Sequence, residues 1–404
     1  MNITLKIILL GVLLLLLTLN LAAPLQAQGP LILTAEQDKY PLGFHLEILE
    51  DRTRQLTIED VASPEFTGQF RPSQENIPNF GYIKSAIWVR WQMSNHSASS
   101  AECNACKDWL LEISDPTIDS ITLYLTQPSP NRDDQILLTN QIGDLVPRAN
   151  RDVDHHNLVF KLSLEPQTTY TLYLRVENRG STPLPLILWS PEAFTHRDYN
   201  AQFGFGFFYG FIFIMVCYNL FLFFFLREVA YLYYVFFVVT LGFYQLTTDG
   251  FANQYLWPGQ TWWGDVAILV FIGLTLLNGL NFGSRFLLTK IYSPRLDKLM
   301  TGLKIGSALL VILSLFPGNY RLVAPTMAVL TVSAVLVGIG AGIISWRSGY
   351  RPARYFLLAW GGVLVSAAVV VLGQFTILPI SFFTQYGLRI SVFLLVLLLA
   401  WHWL

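Results

Sequence analysis

Hydrophobic positions change their spacing once along this chain, near residue 200. Before that point the segments "AIWVRWQMS", "WLLEIS", "SITLYLT", "TYTLYLRVEN" and "LPLILW" alternate or run apolar, with β-branched and aromatic enrichment. A period near two is that of half-buried strands. Turn-rich pieces, "DPTID", "QPSPNRDD" and "NRGSTP", separate them. Residues 28–195 therefore predict an all-β sandwich, jelly-roll-like in character, built from at least eight short strands. Trp88 and Trp91 are three positions apart, so a regular strand points them to opposite faces.

Beyond residue 203 the polar alternation disappears. A helix needs about twenty apolar residues to cross the hydrocarbon core. On that rule residues 203–404 hold seven spans, at 203–226, 230–249, 262–284, 299–317, 321–345, 355–376 and 383–404, with 196–202 as a linker. Basic residues collect after spans one, three and five: Arg227, then Arg285, Lys290, Arg295 and Lys298, then Arg347, Arg351 and Arg354. The loops on the other side hold Arg321 alone. The positive-inside rule then puts the β domain outside and the C-terminus in the cytoplasm. Residues 1–27, with Lys6, a leucine run and small residues ending at Ala27, fit a secretory signal peptide that also exports the β domain.

Composition sharpens this. Of 404 residues 53% are hydrophobic and 13% charged, and the net charge of -1 argues against nucleic acid as a partner. Three cysteines are present. Cys103 and Cys106 form a CxxC that, in an exported domain, is a candidate disulfide closing a tight loop. Cys217 reads as a small packing residue.

The chemistry of catalysis is missing. The helices lack the internal histidines of a haem bundle, and the last span carries Arg389 where a retinal receptor needs a lysine. No HExxH or carboxylate string occurs. No cofactor, metal or enzymatic activity is expected, and Asp154–His155–His156 is the nearest approach to a catalytic cluster. Asn219, Gln245 and Asn278 with Asp249 are the polar groups placed to couple helices. Gly206/Gly210 and Gly338/Gly342 have the spacing of close helix contacts. In the β domain Tyr82, Trp88 and Trp109 offer aromatic faces for a sugar ring, and Arg90, Arg148 and Arg151 could grip carboxylates.

Several stretches carry a family resemblance: "YPLGFHLEILEDRTRQLTIEDV" at 40–61, "NFGYIKSAIWVRWQMSN" at 79–95, "IGDLVPRANRDVDHHNLVFKLSL" at 142–164, "YNLFLFFFLREVAYLYYVFF" at 218–237 and "RFLLTKIYSPRLDKLM" at 285–300. In order and spacing they resemble the bacterial seven-transmembrane receptors with diverse intracellular signalling modules. That resemblance implies an inner-membrane receptor with a carbohydrate-binding-like outer sandwich. Its ligand would be a small, saccharide-like molecule in the periplasm, and its output a cytoplasmic kinase or cyclase. A homodimer is a candidate assembly. Where the family continues into a charged segment and an output module, this sequence reads "AWHWL" and stops, so the expected output belongs to a missing module or a separate protein. Two other readings stay open: a transporter or membrane enzyme acting through Asp249 or Asp265, and a docking subunit working through Arg347, Arg351 and Arg354.

Overall fold

The alternation in "AIWVRWQMSN" is the seed of the outer domain. In the computed structural model, which describes residues 30–401 apart from 35, 97–107, 128–134, 317, 375 and 379–381, this stretch is strand β6 (Ala86–Asn95). Earlier strands are β1 (Leu31–Leu33), β2 (Lys39–Pro41), β3 (Glu47–Asp51), β4 (Arg71–Pro72) and β5 (Asn79–Tyr82). Later ones are β7 (Asp108–Ile113), β8 (Ser120–Gln127), β9 (Gln135–Ile142), β10 (Leu158–Ser163), β11 (Thr168–Glu177), β12 (Ser181–Pro183) and β13 (Leu186–Trp189). The signal segment, the Cys103/Cys106 pair and His402 lie outside the described residues.

One sheet runs β4-β3-β6-β11-β8-β9, antiparallel throughout, with β1 added parallel along the far end of β6. A second runs β10-β7-β13-β2, and β5 pairs with β12. The main core lies between the two large sheets and draws Val89, Trp91, Leu172 and Leu174 from one, Leu111, Phe160 and Leu188 from the other. Each such side chain contributes roughly 1.5–3 kcal/mol by leaving water. Trp88 and Trp91 do point oppositely: Trp91 is in this core, while Trp88 packs with Leu49, Val61 and Phe70 on the outer face of the larger sheet.

Seven long helices follow: α1 (Pro191–Leu226), α2 (Val229–Thr248), α3 (Thr261–Phe286), α4 (Pro294–Ser314), α5 (Tyr320–Arg347), α6 (Ala353–Gln374) and α7 (Phe382–Trp401). Each packs on the next, and α7 returns to α1, closing a ring. Among the described residues α1, α2, α3, α5 and the start of α6 are long and apolar enough to cross a membrane. Helix α4 is diluted by Arg295, Asp297, Lys298 and Lys304.

The residues expected as a linker, 196–202, are turns of α1. The cause is local. Ser190 Oγ accepts from the Ala193 N–H at 3.3 Å, Pro191 occupies the first turn, and Glu192 complements the helix dipole. One unbroken helix thus runs from the sandwich into the bundle.

Two small-residue expectations need correction. A side chain at Gly206, Gly210 or Gly338 would meet open space, so none of these glycines packs closely against a helix, whereas Gly342 lies tightly against Leu357 and Gly273 against Val311. Cys217 is exposed on the bundle surface rather than packed.

Candidate functional site

Strand β7 puts Trp109, Leu111 and Ile113 into the sandwich core, so its alternate residues Leu110 and Glu112 face the other way, toward α1. Leu110, Val159, Ile187 and Trp189 form an apolar patch that Ala193 and Phe194 of α1 cover. Glu112 is completely buried there. A lone buried carboxylate would be costly, and three donors offset that cost. Asn157 Nδ2 donates at 2.6 Å, Arg197 at 2.8 Å and the Trp189 indole N–H at 2.9 Å.

The next residue of α1, Asp198, makes a second contact of this kind. His155 Nδ1 accepts from the Asn157 N–H at 3.1 Å, which leaves Nε2 as the protonated nitrogen, donating to Asp198 at 2.9 Å. Gln202 holds the other Asp198 oxygen at 2.7 Å. The ligand atoms of His155, His156 and Asp198 lie within 4.8 Å of one another, a spacing that could admit a metal ion.

The loop 143–157 forms the underside of the sandwich. Arg148 pairs with Asp154 at 2.9 Å, and Arg148 and Arg151 both donate to the His155 carbonyl. Burial, helped by neighbouring Arg148, draws Arg151 down to about 10. Asp144 accepts from Asn253 at 2.8 Å, and the Asp154 carbonyl accepts from Gln254. Burial first, then the Asp265 and Asp119 carboxylates, pushes Asp144 up to about 7. His156 stacks on Phe251 with ring centres 4.5 Å apart and meets Phe205 edge-on. Burial, reinforced by His155, Arg197, Arg389 and Arg148, pushes its imidazole down to about 3. Gly250 sits against the His156 carbonyl at φ +79°, and a Cβ there would come within 2.2 Å of that oxygen.

Further contacts complete the seam. Arg179 bridges Asp119 at 2.8 Å and Asp265 of α3 at 2.7 Å, over the Tyr320 ring. Asn79 donates to the Gly373 carbonyl at the end of α6 at 2.8 Å. Just below, Asp249 accepts from Tyr209 of α1 at 2.6 Å and from Arg389 of α7.

The expected site residues divide accordingly. Arg148 and Arg151 lie at the seam, and Tyr82 lines a cavity beneath it. Trp88, fully buried and stacked on Tyr124, and Trp109, buried edge-on against Tyr40, present no ring face to solvent. Arg90 pairs with Glu47 and covers Phe70 on the far side of the larger sheet. Of the intramembrane set, Asp249 joins three helices. Asn219 bonds its own helix at the Met215 carbonyl, Gln245 is buried near Thr248, and Asn278 is half-buried on α3. Glu112, Arg197, Asp198 and Asp144 were not anticipated. The signal for Glu112 was its place in an otherwise apolar strand.

A cavity of ≈ 730 Å³ opens between sandwich and bundle, walled by Asn157, Asp115 and Asn79 on one side and Arg197, Asn200 and Arg389 on the other. A second, of ≈ 330 Å³, descends inside the helix ring. Both sizes suit small molecules.

An outer β domain clamped onto a ring of membrane helices, with a cavity at the joint, is a layout suited to a membrane receptor. Residues 201–402 match the family "7TM diverse intracellular signalling", and residues 43–190 match its "extracellular 2" domain. The chain belongs to this family of membrane signalling receptors, whose members are of the sensor type. No curated protein matches the chain.

Proposed function

We propose that the chain senses a small, hydroxyl-rich solute of saccharide type at the joint between sandwich and bundle. It relays the resulting rearrangement through the helices to a cytoplasmic kinase or cyclase. The sandwich stands in the periplasm of a bacterial inner membrane and the C-terminus in the cytoplasm, an orientation that the distribution of basic residues supports. The chain performs no reaction itself.

One observation carries this reading. Helices α1, α3 and α6 and the turn after α2 each hold a polar contact to the sandwich, through Arg197, Asp265, Gly373 and Asn253. A solute in the cavity between them touches both halves, so it has differential affinity for any two arrangements of the joint.

A panel of mono- and disaccharides, added to the full chain in lipid nanodiscs, tests this by thermal melting. A true ligand at one hundred times its Kd contributes about 2.7 kcal/mol. That gain should fall when Asn200→Leu narrows the cavity. Equal binding to the bundle alone, without residues 28–195, would contradict the joint as the site.

A further inference from the structure

The two cavities share the residues Asp115, Ser181, Pro183, Thr248 and Val370, so the space at the joint and the space inside the helix ring adjoin. They differ in chemistry. The inner cavity carries its one charged group near the top, where Tyr82, Asp115 and Thr117 of the sandwich meet Thr248 of α2; farther down lie the Trp360 indole and Thr275 and Thr331, whose hydroxyls donate to the Phe271 and Met327 carbonyls of their own helices. Below, its walls include Leu241, Ile272, Leu276, Met327, Phe356 and Val392. No lysine, arginine or histidine lines it.

The two guanidiniums of the outer cavity are paired, Arg197 with Glu112 and Arg389 with Asp249. An anionic head would have to displace one of these carboxylates and leave a buried charge unpaired. Asp115, where the two cavities meet, accepts from the Thr117 N–H and hydroxyl and offers its carboxyl to hydroxyl donors. Ser114, whose buried hydroxyl has no hydrogen-bond partner among the described residues, and the exposed Asn200 amide suit an uncharged, hydroxyl-bearing group.

We propose that the two cavities together accept one uncharged amphiphile, its hydroxyl-bearing head at the joint and its apolar chain inside the helix ring. This deepens the receptor reading and rests on it for the consequence of binding. The occupancy itself is a separate claim. Such a ligand spans the outer domain and the centre of the bundle at once, so its chain reaches α2, α3, α5, α6 and α7 from within.

The structure offers a clean variant. A side chain at Gly338, which lines the inner cavity, would meet open space, so Gly338→Phe fills the cavity without a clash at Cβ. Gly210, equally open but exposed on the outer surface of α1, gives the control Gly210→Phe.

The test uses the full chain in nanodiscs and an octyl glucoside carrying a diazirine at the end of its chain, below its micelle concentration, with photolabelled peptides mapped by mass spectrometry. Labels on the inner faces of α3, α5 and α6 are expected. They should be competed by unlabelled octyl glucoside, at least tenfold less by octanoate or glucose, and reduced at least tenfold by Gly338→Phe but not by Gly210→Phe. Labels confined to lipid-facing residues, or untouched by Gly338→Phe in a protein that melts normally, overturn the inference. Equal competition by octanoate overturns the uncharged head. Glucose competing as well as octyl glucoside overturns the tail site and leaves the receptor reading standing. Labelling as expected, with no accompanying change in the helices, would instead count against the receptor reading alone.

Discussion

Glu112 of β7 and Arg197 of α1 meet at 2.8 Å, the carboxylate fully buried and the guanidinium over the Trp189 ring. This pair ties the outer sandwich to the first membrane helix. Removing one partner of a buried pair typically costs about 3–5 kcal/mol, because the other is left uncompensated. Arg197→Ala should therefore lower the melting midpoint of the purified chain sharply and expose the 190s to protease. Glu112→Gln, whose single amide oxygen still accepts from Asn157 and Arg197 while the Trp189 bond is lost, should do less. Equal small effects would show the pair to be peripheral.

Asp144 and His156 give the joint opposite pH arms. The Asp144 carboxyl is raised to about 7, so below that pH it is largely neutral when docked. Its contribution is full below the ordinary carboxylate range and is lost as pH rises toward 7. The His156 imidazole is depressed to about 3, so its contribution is full above about 6.5 and is lost as pH falls. Between pH 4 and 6.5 the two slopes, each about 1.4 kcal/mol per pH unit, offset one another. Melting curves across this range should be nearly flat for the natural chain. Asp144→Asn should become acid-sensitive, and His156→Phe should weaken as pH rises. Flat profiles in both variants would remove the electrostatic account.

Gly250 allows the His156 carbonyl its close approach to the turn after α2. Alanine there faces a left-handed backbone costing about 1–2 kcal/mol as well as the clash. Gly250→Ala should separate the loop 143–157 from the bundle, read as faster amide exchange at residues 153–157. Unchanged exchange would mean that the turn shifts freely.

Asp249 holds α1 and α7 through Tyr209 and Arg389. Asp249→Leu alone should destabilise the bundle by several kcal/mol, on the order of a broken buried pair. Adding Arg389→Leu should restore much of that loss, since both charges then leave. If the double variant is the sum of the singles, the two residues act independently.

Strand alternation made the sandwich legible, and hydrophobic runs placed the seven helices closely except at the start of the first, which begins at Pro191 rather than 203, because both signals are periodic and local. The joint was not legible. Glu112, Asp144 and Arg197 look like ordinary strand, loop and helix charges until the fold brings residues 85 positions apart to 2.8 Å. The tripeptide at Asp154 to His156, the nearest approach to a catalytic cluster in the sequence, has both histidines buried against α1 and Phe251. Aromatic content misled in the other direction. Trp88 and Trp109 resemble a ligand platform in sequence, yet strand alternation on two-sided packing buries both.

The central claim is that the joint governs the helices beneath it. Spin labels at Phe225→Cys on α1 and Leu397→Cys on α7, both exposed positions, measure this by pulsed electron resonance in nanodiscs after the native cysteines are replaced. With the joint intact and with it cut by Arg197→Ala, the α1–α7 distance distribution should differ by about 1–2 Å or more, the scale of helix shifts in switching proteins. Identical distributions in two folded proteins would contradict the relay.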